Sequence, residues 1–101
     1  MSIGGHSIIN MFKQLGPNEA ASTEGYSIKR AGRFELLYTE GERKISVEVE
    51  PGDGLAIYTS SISYWKMNDG SEVEVTSEEL EKVVARISKA LNFLNTEHVI
   101  E

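Results

Sequence analysis

The sequence predicts an α+β fold: an antiparallel meander sheet of four to five strands, one long helix at about 76–94 packed across one face, and a short N-terminal helix. Three observations carry this reading. Apolar side chains recur at the helical period over residues 76–94, they alternate with polar ones at period 2 from Tyr26 onward, and glycine-containing turns separate the alternating runs. The division that follows is a short helix and loop over residues 1–25 and a single α+β domain over residues 26–101.

In chain order, Ile8, Met11, Phe12 and Leu15 are spaced for a helix over residues 7–15, with Ser7 as its cap and Gly16-Pro17 as its stop. Nine residues are marginal as an isolated helix, so this one must dock, pair or fray. Residues 18–25 read as a loop, and deletion of residues 1–22 is therefore expected to matter little. Tyr26 and Ile28, then Phe34, Leu36 and Tyr38, alternate on either side of a turn at Ala31-Gly32. Glu40-Gly41 leads into a further strand with Ile45, Val47 and Val49 on one face, and Pro51-Gly52-Asp53-Gly54 is the next turn.

Residues 55–65 hold an irregularity. Leu55 and Ile57 are in one phase, Ile62 and Tyr64 in the other, so a bulge or break belongs at Thr59, Ser60 or Ser61, where hydroxyls can bond the freed backbone. Asn68-Asp69-Gly70-Ser71 is a turn. In the long helix, Leu80, Val83, Val84, Ile87, Ala90, Leu91 and Leu94 form a stripe roughly 120° wide. Thr76 and Glu79 have the spacing of a capping box, Asn95 suits the position just past the end, and Phe93 lies off the stripe. Glu78 and Lys82 are spaced for an i,i+4 pair. His98, Val99 and Ile100 form a closing edge strand.

A chain of 101 residues supports one modest core. It contains no cysteine, which removes disulfides and thiolate metal sites and fits a reducing compartment. No run of 18 apolar residues is present, and the opening MSIGGHSIINMFK lacks a basic region followed by a long apolar one, so a cytoplasmic protein without a membrane partner is expected. Net charge is −6, unevenly spread: residues 1–34 hold four bases and two acids, the remainder six bases and fourteen acids. That acidic field disfavours nucleic acid and favours a basic partner.

No catalytic constellation emerges. Asp69, Glu72, Glu74, Glu78, Glu79 and Glu81 resemble a metal or acid-base cluster, but Trp65 stands where an EF-hand would need its first ligand, so they read as a solvated face or a partner-binding patch. No metal and no cofactor are expected. His6 and His98 lie at opposite ends of the chain without ligand spacing, and Ser60, Ser61 and Ser63 lack the glycines of a nucleophile elbow. Gly52 and Gly54 belong to a turn and not to a phosphate loop. Trp65, beside Tyr64 and just before the acidic turn, reads either as a core plug or as an exposed anchor. The candidate partner-binding set is Tyr64, Trp65, Asp69, Glu72 and Glu74.

Ser60-Ser61-Ile62 with Trp65, the Gly70 turn, and the capped helix ending in Ile87, Ala90, Leu91 and Phe93 together resemble the immunity protein 74 family of bacterial polymorphic or contact-dependent toxin systems. The resemblance spans about residues 26–100, with Lys66-Met67-Asn68 where the family pattern has a proline. It implies a non-catalytic protein that binds and neutralises a cognate toxin domain. Two other classes stay open: a self-associating module, which would form a homodimer, and a small enzyme using carboxylates with tyrosines such as Tyr38 and Tyr58.

Overall fold

The computed structural model describes residues 11–101. Among these, nine strands form a sheet curled into a half-barrel around one helix. The strands are β1 (Phe12–Gly16), β2 (Glu19–Ser22), β3 (Tyr26–Gly32), β4 (Glu35–Glu40), β5 (Arg43–Pro51), β6 (Leu55–Ile57), β7 (Tyr64–Met67), β8 (Glu72–Glu74) and β9 (His98–Ile100); the helix α1 is Ser77–Phe93. Strands β1 to β6 follow one another antiparallel. β5 is long enough to take two partners on its other side: β7 at Arg43 and Lys44, and β6 at Val49 to Pro51. β8 then pairs with β7, and β9 closes against β6 in parallel.

The expected four-to-five-strand meander with an N-terminal helix is therefore corrected in three places. Phe12–Gly16 is a strand paired to β2, and β2 lies within the expected loop; residues 7–10 of the expected helix fall outside the described residues. The helical spacing misled because only Phe12 packs against the core, while Met11 and Leu15 are exposed. Gly16-Pro17-Asn18 turns a tight hairpin, and hydrogen bonding to β3 holds Glu19–Ser22 extended despite its weak strand propensity. Residues 55–67 form two strands, β6 and β7, which pair with different stretches of β5. Finally, β9 runs parallel to β6, because α1 carries the chain back across the sheet before it returns.

The break between β6 and β7 lies at a single 3-10 turn, Thr59–Ser61. Ser61 Oγ donates to the Tyr58 carbonyl at 2.6 Å and accepts from the Glu48 amide at 2.8 Å, binding the interruption to β5. The β3–β4 turn comes later than Ala31-Gly32, so Phe34 is left 55 % exposed with Arg33 lying over its ring.

α1 begins and ends as its residues dictate. Thr76 Oγ1 accepts from the Glu79 amide at 3.1 Å, and a Glu79 carboxylate oxygen accepts from the Thr76 amide at 3.0 Å. At the other end Asn95 takes φ 57, while the Asn95 and Thr96 amides donate to the Asn92 and Leu91 carbonyls, a left-handed termination. Val83, Ile87, Ala90 and Leu91 are buried on the inner face of the sheet among Ile28, Leu36, Tyr38, Ile45, Val47, Ile57 and Trp65. Phe93, off the stripe, stacks on Phe12 at 5.2 Å and so fastens the helix end to β1.

Candidate functional site

The polar groups at the inner face are consumed in structure. A chain of alternating charge runs from α1 to the sheet: Arg86 to Glu40 at 3.1 Å, Glu40 to Arg43 at 3.0 Å, and Arg43 to Glu79 at 3.2 Å. Tyr38 donates to Glu40 at 2.8 Å and accepts from Arg86 at 3.2 Å, and burial raises its phenol above the ordinary range. Burial acts to raise the Glu40 carboxyl, but hydrogen bonds from Arg43 and Tyr38 prevail and hold it below its usual range. Glu79 is lowered by the Thr76 amide first and then by the Trp65 indole, which donates to it at 3.1 Å. Arg43 lies 3.8 Å from the centre of the Trp65 ring.

Trp65 is thus the core plug and not an exposed anchor. It is 1 % exposed, with its one polar atom satisfied from within, so it presents nothing to a partner. The other expected contact residues are on the surface, and pairing brings most of them together. Tyr64 faces Glu74 and Lys66 faces Glu72 across the β7–β8 hairpin, all on the outer side. Tyr64 and Val73 are 55 % and 49 % exposed. Asp69 lies in the turn, accepting from the Ser71 amide and hydroxyl, and its carboxyl is lowered by those bonds. The turn itself uses Gly70 at φ 90.

On the outer face an open groove of about 480 Å³ lies between β4–β5 and β7–β8, lined by Leu37, Ser46, Ser63 and Tyr64 with Lys44 and Lys66 at one end. Lys44 and Lys66 are direct cross-strand neighbours, as are Glu35 and Glu48 further along, and like charges so placed repel. Tyr58 is half-buried on the same side, its hydroxyl donating to Glu50 at 2.6 Å; that bond, lost on ionisation, pushes the phenol up to about 12. No group of three or more metal-ligating side chains occurs among the described residues.

The acid–base network and a second pair were not legible from spacing. His98 is half-buried: one ring nitrogen lies 2.7 Å from Ser88 Oγ and the other 2.9 Å from the Thr96 carbonyl. With the carbonyl fixing one nitrogen as donor, the other accepts from the serine, a Ser–His contact that fastens β9 to α1. Neither residue lines the outer groove between β4–β5 and β7–β8. His6 lies outside the described residues.

What these parts define is a class, an α+β domain with a half-barrel sheet closed by one helix and an acidic, partly apolar border. Comparison with known proteins goes no further: no family model, no curated protein and no solved structure matches the chain. No described helix is long and apolar enough to cross a membrane.

Proposed function

We propose that the domain acts as a non-catalytic binding protein of the immunity type, occupying and neutralising a basic toxin domain in the cytoplasm of the bacterium that makes both. The observation that supports it is the β7–β8 hairpin, where exposed Tyr64, with Leu37 beside it in the groove, shares the outer face with Glu72 and Glu74 at the sheet border. Carboxylates at such a border steer a basic partner, while apolar side chains hold it once docked. Co-purification from the native host, with identification of what is retained, tests the reading. Retention of a basic protein whose activity the domain inhibits supports it; recovery of the domain alone at cellular concentration counts against it.

A second reading, self-association, is favoured by the paired like charges. The Lys44/Lys66 and Glu35/Glu48 pairs lie on one face on either side of Ser46, so a two-fold axis there would lay each pair on its opposite in a second copy. A concentration-dependent mass, abolished by Lys44→Glu with Lys66→Glu, supports that alternative, and a constant monomer mass excludes it.

A further inference from the structure

Three strands border the described sheet, and they are not equally protected. β8 carries Glu72 and Glu74, and β1 carries Lys13 and a register shift after Gln14, both of which discourage another strand from adding. β9 carries no Lys, Asp, Glu or Pro. Its pairing with β6 uses alternate residues: the Leu55 amide donates to the Glu97 carbonyl at 2.8 Å, the Glu101 amide to the Ile57 carbonyl at 2.8 Å, and the Thr59 amide to the Glu101 carbonyl at 2.9 Å. By that alternation the amides and carbonyls of His98 and Ile100 point away from β6, and none has a backbone or side-chain partner among the described residues.

The side chains beside this open edge have a definite pattern. Val99 is 55 % exposed on the outer face and Ile100 is 40 % exposed on the inner. Glu97 and Glu101 share the outer face with Val99, one at each end, and neither carboxylate has an ion-pair partner among the described residues. The hollow next to them is lined by Ala56, Tyr58 and Val99 with three acids, Glu50, Asp53 and Glu101, and no base.

We propose that β9 is an acceptor edge onto which an extended segment of a protein partner adds as an antiparallel strand. The segment carries Lys or Arg at two positions four apart, opposite Glu101 and Glu97, and a β-branched residue midway, opposite Val99. The occupant follows from complementarity: unpaired backbone groups call for a strand, the exposed Val99 for an apolar residue, and the flanking carboxylates for cations. A second copy of β9 is a poor occupant, because antiparallel pairing centred on Val99 would set Glu97 against Glu101. This inference rests on the partner-binding reading above and adds to the β7–β8 contact a second one, on β9, for the same basic partner.

Amide hydrogen exchange of the full chain tests it, because the strand's two sets of amides respond differently. In the free protein the His98 and Ile100 amides are expected to exchange faster than those of Val99 and Glu101. The probe is the capped peptide acetyl-Thr-Lys-Ile-Val-Thr-Lys-Thr-amide at millimolar concentration, with the same peptide bearing Glu for both Lys as control. Added lysine peptide should slow His98 and Ile100 exchange about tenfold or more, the glutamate peptide should not, and Val99→Lys, whose site is exposed, should abolish the effect without altering the fold. Equal protection by both peptides, or none by either, overturns the proposal. The co-purified complex is the second arm. A retained basic partner that leaves the His98 and Ile100 amides unprotected overturns the docking mode while leaving the binding function standing.

Discussion

Glu79 does the work of three residues. It completes the helix cap, accepts the indole proton of Trp65 and pairs with Arg43, so one carboxylate joins the start of α1 to β5 and β7. Only the first of these roles was legible in the sequence, because a capping box is a matter of spacing and the others depend on strands 14 to 36 positions away. The Glu78–Lys82 pair, by contrast, was suggested by spacing and does not form; none of the three ion pairs among the described residues includes either one. Glu79→Gln keeps an oxygen for the cap but removes the charge facing Arg43, and should cost about 1 kcal/mol, lowering the thermal midpoint by about 5 °C. Glu40 and Glu79 are both held below the usual carboxylate range when folded. Their contribution to stability is therefore complete above a pH of about 4.3 and fades as pH falls through their lowered values. Thermal melts between neutral and acid pH should lose stability at the acid end, and Glu79→Gln should flatten that loss; an unchanged slope would mean the carboxylate titrates alike in both states.

At the scale of elements, the long helix and its apolar stripe were readable because seven apolar residues agree on one period. The N-terminal strands were not, because four residues at helical spacing are too few to outweigh the pairing supplied by β3. This reverses the expectation for truncation. Without residues 1–22 the chain would lose Ala20 from the core and the packing of Phe12 on Tyr26 and Phe93, and would expose the β3 edge. The deletion should lower the thermal midpoint by about 10 °C or more and promote aggregation, as melting and light scattering would reveal. Ile87 is fully buried at the middle of the stripe. Ile87→Asp should unfold the domain, at a cost of several kcal/mol for an unpaired buried charge; a cooperative melt at the original midpoint would contradict the packing described.

For the whole molecule, charge and grip are separable quantities. Glu72 and Glu74 are exposed, and neither has an ion-pair partner among the described residues. Replacing both by Lys should leave the domain folded, with a melt lowered slightly by repulsion across the strand from Lys66, while slowing association with the co-purified partner roughly tenfold at low salt, with a weaker dependence on ionic strength. Equal association rates at both salt concentrations would make the hairpin a soluble face only. The candidate contacts were legible in part: Tyr64, Glu72 and Glu74 could be picked from a charged turn, whereas the outward-pointing amides of β9 follow from a parallel pairing that no local pattern announces.

That parallel pairing also orders events in time. Ala56 meets Val99 across the whole of β7, β8 and α1, so the contact closes a long loop and gains nothing until the intervening chain has condensed. The hairpins from β1 to β6 involve near neighbours and can form first. β9 should therefore be absent from the folding nucleus, and truncating Val99 or Ile100 to Ala should quicken unfolding while leaving the refolding rate almost untouched. The strand that stands ready to receive a partner would then be the last to arrive and the first to leave, and an occupant of its edge would act as a brake on the opening of the molecule.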